Sequence, residues 1–165
     1  MSSKTPEKLA VATALARKRP IGKFVVTIAL SLVLVIVVLQ YVLRLQLSSQ
    51  TLMFNDHRII LEVVDDRASR QLGLSGRAGI ADDAGMLFVF DTESVQNCFW
   101  MKDMNFAIDM LWMDVHKQVV TISEQVGPET YPRSFCPSSD AKYGLEIGAG
   151  RASELGIAEG AKLDF

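Results

Sequence analysis

The chain has two cysteines and two histidines among its 165 residues, too little material for a metal cluster. It contains no C-x-x-C, its histidines (His57 and His116) are far from helical spacing, and Asp82-Asp83 lacks a calcium-binding loop. These absences predict neither metal nor cofactor. Internal repeats and low-complexity tracts are missing too. With 49% hydrophobic and 22% charged residues, the composition excludes a disordered tail, a collagen-like fibre and a disulfide-dense toxin. Gly73-Leu74-Ser75-Gly76 starts like the G-x-S-x-G of hydrolases, but Arg77 stands where the last glycine belongs.

What the chain does have is an apolar surplus. Its mean hydropathy is +0.21 despite ordinary charge content, so the apolar residues are concentrated somewhere. From Phe24 to Leu43 it runs FVVTIALSLVLVIVVLQYVL, without a charge, glycine or proline. As a helix, 20 residues rise about 30 Å, the thickness of a bilayer's hydrocarbon core. Residues 1–23 carry six basic side chains and one acidic; the remainder carries 11 basic and 18 acidic. The cluster Arg17, Lys18, Arg19 and Lys23 abuts the apolar run, and only Arg44 follows it closely. The positive-inside rule then predicts a cytoplasmic N-terminus and an extracytoplasmic remainder. A cleaved signal peptide fits less well, because the run is long and Arg44–Ser49 offers no A-x-A-like site. Without glycine, the run has no close-packing motif for dimerisation.

The expected organisation is a basic cytoplasmic tail (1–23), a single transmembrane helix (24–43), a polar juxtamembrane linker (44–56) and a β-rich domain (57–165). In the last segment, short apolar runs predict strands at Ile59–Val64, Met86–Phe90, Cys98–Met101, Ile108–Asp114, Val119–Ile122 and Tyr143–Ile147, with a last one at Lys162–Phe165. His116-Lys117 reads as a hairpin turn. In Ile108–Asp114, alternation puts Ile108, Met110 and Trp112 on one face and Asp109, Leu111 and Met113 on the other. One short helix starts after Asp65 or Asp66 and stops at Gly73; another covers Ala152–Leu155 and ends at Gly156. The fold class is therefore mainly β: a small sandwich or barrel with two short helices, preceded by the transmembrane helix.

Several blocks in order resemble one family. They are Arg70-Gln71-Leu72-Gly73-Leu74-Ser75-Gly76-Arg77, Gly85-Met86-Leu87-Phe88-Val89-Phe90, Phe99-Trp100-Met101-Lys102, Ile108-Asp109 and Leu145-Glu146-Ile147-Gly148-Ala149-Gly150. The family they resemble is domain of unknown function 192, over about residues 57–165. The resemblance implies a small β-rich domain, often exported behind a signal or anchor, and implies no activity. Ala107 stands where the family often has proline, and Gly160-Ala161 where it has Gly-Asp; both departures fall in turns.

Cys98 and Cys136 have three readings: a structural disulfide, two buried thiols, or a reactive or metal-binding pair. A bridge would close a loop worth about 3–4 kcal/mol and would suit an oxidising compartment. It would also consume the nucleophile of any Cys-His dyad. The acidic remainder argues against nucleic acid, which needs a cationic face.

The polar residues within the β runs are the candidate cluster: Lys102, Asp109, Glu124 and Glu146, with Arg70 and Arg77 beside them. The structural reading pairs Arg70 or Arg77 with Asp109 or Glu146. The functional reading places these groups with Trp100 and Trp112 around a small polar or carbohydrate-like ligand. The expected function is a membrane-anchored extracytoplasmic module with a non-catalytic binding or structural role. Its partners are then the lipid bilayer through residues 24–43 and an envelope protein or glycan. The alternative is a surface enzyme acting on envelope polysaccharide or peptide through Asp109, Glu124 or Glu146.

Overall fold

The computed structural model of the protein describes the backbone of residues 21–47 and 49–165, and the side chains of 25–40 and 50–165. The expected basic tail lies outside the described residues up to position 20. The chain divides into two units at Leu43/Arg44. The first contains most of helix α1 (Ile21–Leu47), which begins before Phe24 and ends after Leu43. Every side chain described in it, from Val25 to Gln40, is exposed. Those 16 residues rise about 24 Å. Over the described residues, no helix is long and apolar enough to cross a membrane.

The second unit is built on a six-stranded sheet. Its strands are β1 (Ser49–Phe54), β2 (His57–Val64), β3 (Ala84–Ser94), β5 (Ile108–Met113), β6 (Val119–Val126) and β8 (Ala141–Gly148). They lie in the order β1-β2-β3-β8-β5-β6, and every neighbouring pair is antiparallel except β2-β3. Two short strands, β4 (Phe99–Trp100) and β7 (Ser134–Phe135), form a separate ladder. The C-terminal segment bridges both edges of the large sheet: Met53 pairs with Asp164, and Gln118 with Lys162. That closes the sheet on itself and leaves neither edge wholly open.

The linker expected at 44–56 is not one. Its first residues continue α1, and Ser49–Phe54 is an edge strand with Leu52 fully buried. Asn55 and Asp56, both at positive φ (46° and 63°), form the two-residue turn that returns the chain into β2. The serines and glutamine before Leu52 hid the strand because only one of its faces meets the core. The short helices sit where their caps put them. Helix α2 (Arg67–Leu72) starts at Asp66, whose carboxylate accepts from Ala68 N (2.9 Å) and Ser69 N (3.0 Å), and ends at Gly73. Hydrogen bonds from Ser69 hold the Asp66 carboxyl below its ordinary range. Helix α3 (Arg151–Leu155) ends at Gly156, in the left-handed conformation with φ 72°. The His116-Lys117 turn joins β5 to β6, and Asp114 Oδ1 accepts from both His116 N and Gln118 N.

All six residues of β5 are buried, so the two faces of the sheet are both core. On the inner face, Leu61, Leu87, Leu111, Met113, Leu145 and Ile147 pack with Ala152 and Leu155 of α3 and with Leu163. On the outer face, Met86, Phe88, Ile108, Met110 and Trp112 pack under Leu74, Phe99 and Met101. Cys98 and Cys136 are joined by a disulfide that ties the start of β4 to the loop after β7.

Candidate functional site

The outer face is not filled completely. A cavity of about 260 Å³ opens between the sheet and α2, with Phe88 and Phe90 of β3 below it and Phe99 and Trp100 of β4 at its side. Arg67, Arg70 and Gln71 of α2 form its rim, and Leu74 and Met104 complete its apolar wall. Phe99 reaches its place because residue 144 is glycine. A Cβ there would come within 2.3 Å of the Phe99 ring. The ring lies 4.7 Å from Phe88, 6.0 Å from Phe90 and 5.1 Å from Trp112, centroid to centroid. The wall of the cavity is thus a stack of aromatic rings seated on a glycine.

Glu146 of β8 also lines this cavity. It is 6% exposed, and its register neighbours across the sheet are Met86 and Met110. Among the described residues it makes no hydrogen bond and no ion pair. Burial pushes its carboxyl up to about 8 from an ordinary 4.5, and the positive charge of Arg77 pulls the other way. Burying a polar group without a partner costs free energy, so such groups are normally satisfied.

Of the residues singled out from the sequence, the cavity brings together Arg70, Trp100 and Glu146, with Arg77 acting on Glu146 through its charge. The expected arginine pairs are different ones. Arg70 binds Asp91 (2.8 Å), the Val89 carbonyl (2.8 Å) and the Asp65 carbonyl. Arg77 makes a two-pronged pair with Glu62, both contacts 2.9 Å. These carboxylates lie nearer in the fold because β2 and β3 flank α2 and the turn after it.

Asp109 is fully buried, but it faces inward. Its carboxylate accepts from Gln125 N (2.7 Å), Gly150 N (3.0 Å) and Ala152 N (2.9 Å). It therefore ties β6 to the start of α3, meeting amides that a helix leaves unpaired. Glu124 and Lys102 are exposed; the Lys102 carbonyl accepts from the Ser75 hydroxyl (2.8 Å). Trp112 is core, with its Nε1–H on the Asn97 carbonyl (2.7 Å), and has no place around a ligand. Asp109 and Glu146 point to opposite faces of the sheet, so the paired-carboxylate arrangement of a glycosidase is not formed by them. No group of three His, Cys, Asp or Glu side chains stands together to hold a metal ion among the described residues.

Sequence reasoning passed over Phe88, Phe90 and Phe99 as site residues. The alternation in Met86–Phe90 carried part of the signal, since it sets Phe88 and Phe90 on the face that Glu146 shares.

Residues 50–165 match domain of unknown function 192, described as Uncharacterized ACR. The chain belongs to this family. Among solved structures, a candidate transcription regulator from Sinorhizobium meliloti 1021 is 29% identical with a TM-score of 0.61. That match covers 69% of this chain and 89% of the other. A protein of unknown function from Novosphingobium aromaticivorans DSM 12444, 24% identical with a TM-score of 0.61, covers 71% and 84% and shares the fold. Comparison with curated proteins finds no match. The family match begins inside β1, in agreement with its place in the sheet.

Proposed function

We propose that this member of domain of unknown function 192 is a non-catalytic binding module held at the outer side of a membrane by residues 24–43. It takes a small ligand with an apolar body in the cavity beneath α2. The observation that carries the binding reading is Glu146: a buried carboxyl without a hydrogen-bond partner, opening into an aromatic cavity. A purely structural role would favour a leucine there, as its neighbours Met86 and Met110 suggest. Ligand sites commonly combine apolar walls with a few such polar groups. At about 260 Å³ the cavity suits a single-ring molecule.

The anchoring reading is supported by the uncharged run 24–43, by the basic cluster before it, and by a helix apolar all round. The disulfide fits an oxidising compartment. A regulator's role on nucleic acid, suggested by the Sinorhizobium protein's description, suits this chain poorly. Residues 50–165 carry 18 acidic side chains and 10 basic ones.

Two measurements test this reading. Titrating the full chain in detergent with benzyl alcohol, a neutral single-ring probe, should give saturable NMR shifts at Leu74, Phe99 and Trp100. Met104→Trp, which fills the cavity, should abolish them; scattered or non-saturable shifts in the wild type would overturn the binding reading. A membrane-impermeant amine reagent should label the exposed Lys102 in intact spheroplasts. Labelling only after lysis would overturn the topology.

A further inference from the structure

The cavity combines one unpartnered carboxyl with a wall of aromatic rings, and that combination selects a ligand chemistry. Building on the binding reading, we infer that the cavity takes a small organic cation: an ammonium group on an apolar, ring-sized body, with Glu146 as its counter-charge.

The argument starts from which charges are already spent. Arg70 is engaged by Asp91 and two carbonyls, and Arg77 by both oxygens of Glu62. Arg67 lies exposed at the rim, where water and salt screen it. Among the charged groups described around the cavity, Glu146 alone is buried and makes no hydrogen bond or ion pair. An anionic ligand would keep the proton on Glu146 and find no free counter-charge, because Arg70 and Arg77 are already paired. A neutral one would leave its proton in place and gain nothing from ionisation. An ammonium group gains on both counts, because Coulomb attraction is strong away from water and aromatic faces attract cations. Phe88, Phe90, Phe99 and Trp100 supply those faces around the same space.

The binding step balances simply. The Glu146 carboxyl gives up its proton to solvent, and the ligand's ammonium takes the proton's place beside the carboxylate. One proton is released per ligand bound wherever the free protein still carries it. The charged groups around this exchange are Arg67 and Arg70 on α2, Arg77 after it, and the carboxylates Asp91 on β3 and Glu62 on β2 that pair with Arg70 and Arg77. Of these, Arg77 acts on Glu146.

The experiment compares benzylamine with benzyl alcohol by calorimetry on the full chain in detergent at pH 7.5, in two buffers of different ionisation enthalpy. The wild type should bind benzylamine at least tenfold more tightly and release protons as it does so. Glu146→Gln should remove that preference while still binding benzyl alcohol. Equal binding of the two probes by the wild type would overturn the cation inference and leave the cavity reading standing. A preference that survives in Glu146→Gln would overturn it as well. Failure of both probes to bind would take down the cavity reading itself.

Discussion

Asp109 and Glu146 are buried carboxyls on adjacent strands of one sheet, and they have opposite fates. Asp109 faces inward and receives three backbone N–H groups, from Gln125, Gly150 and Ala152. Glu146 faces outward among Met86, Met110 and aromatic rings, and receives none. The inner face is closed by α3 and the C-terminal segment, and the carboxylate placed there is matched by amides at the start of α3. The outer face is roofed only by α2 and the β4–β7 ladder, and a gap remains over Glu146. Burial alone therefore does not mark a functional residue; burial without a partner, beside open space, does. Each way of breaking this contrast has a measurable size.

The largest effect belongs to Asp109. Asp109→Ala leaves one buried donor and two half-buried ones without an acceptor. At about 1–3 kcal/mol each, with the half-buried pair at the low end, a loss of about 4 kcal/mol is expected. Asp109→Asn keeps one acceptor oxygen and turns the other into a donor facing an amide, and should cost about half as much. Denaturant unfolding of each variant measures both. A loss under 1 kcal/mol for Asp109→Ala would mean that the three bonds do not hold β6 and α3 together.

Glu146 should behave in the opposite sense. Its folded carboxyl titrates at about 8 against an ordinary 4.5, so the folded protein keeps a proton that the unfolded chain has lost. Stability is then full below pH 4.5, falls as pH rises towards 8, and is flat above it. At about 1.4 kcal/mol per pH unit, the loss across that window is on the order of 5 kcal/mol. Glu146→Gln cannot ionise and should flatten the profile, becoming more stable than the wild type at pH 8. A wild-type profile already flat from pH 5 to 8 would show that Glu146 is satisfied in solution.

The contrast was half legible in the sequence. Alternation in Ile108–Asp114 put Asp109 opposite Met110, and Asp66, Gly73 and Gly156 marked both short helices through local capping chemistry. Of the three readings open for Cys98 and Cys136, the structural disulfide is the one the fold holds. What stayed hidden depends on contacts distant in sequence. The β2–β3 crossover delivers Glu62 to Arg77 across 15 residues, and Gly144 makes room for Phe99 across 45; neither leaves a periodic trace. β1 was missed because its flanking serines and glutamine read as linker, although the Asn55-Asp56 turn after it was a usable hairpin signal. The partners of Asp109 are backbone amides, which no side-chain pattern announces.

The smallest expected effect probes the link between the two exposed charges and the buried one. Arg77 and Glu62 are 41% and 50% exposed, so breaking their pair should cost under about 1 kcal/mol despite its two-pronged geometry. Arg77 nevertheless lowers the Glu146 carboxyl through space, against the dominant effect of burial. Arg77→Gln should therefore leave unfolding at pH 4 almost unchanged while moving the Glu146 titration upward from about 8, as followed by carboxyl ¹³C NMR. Glu62→Gln should move it downward, because Arg77 then faces Glu146 without a competing anion. If neither substitution moves the midpoint, the arginine's field does not reach the cavity. Glu146 would then be governed by burial alone, and the outer face would contrast with the inner one only in what it lacks.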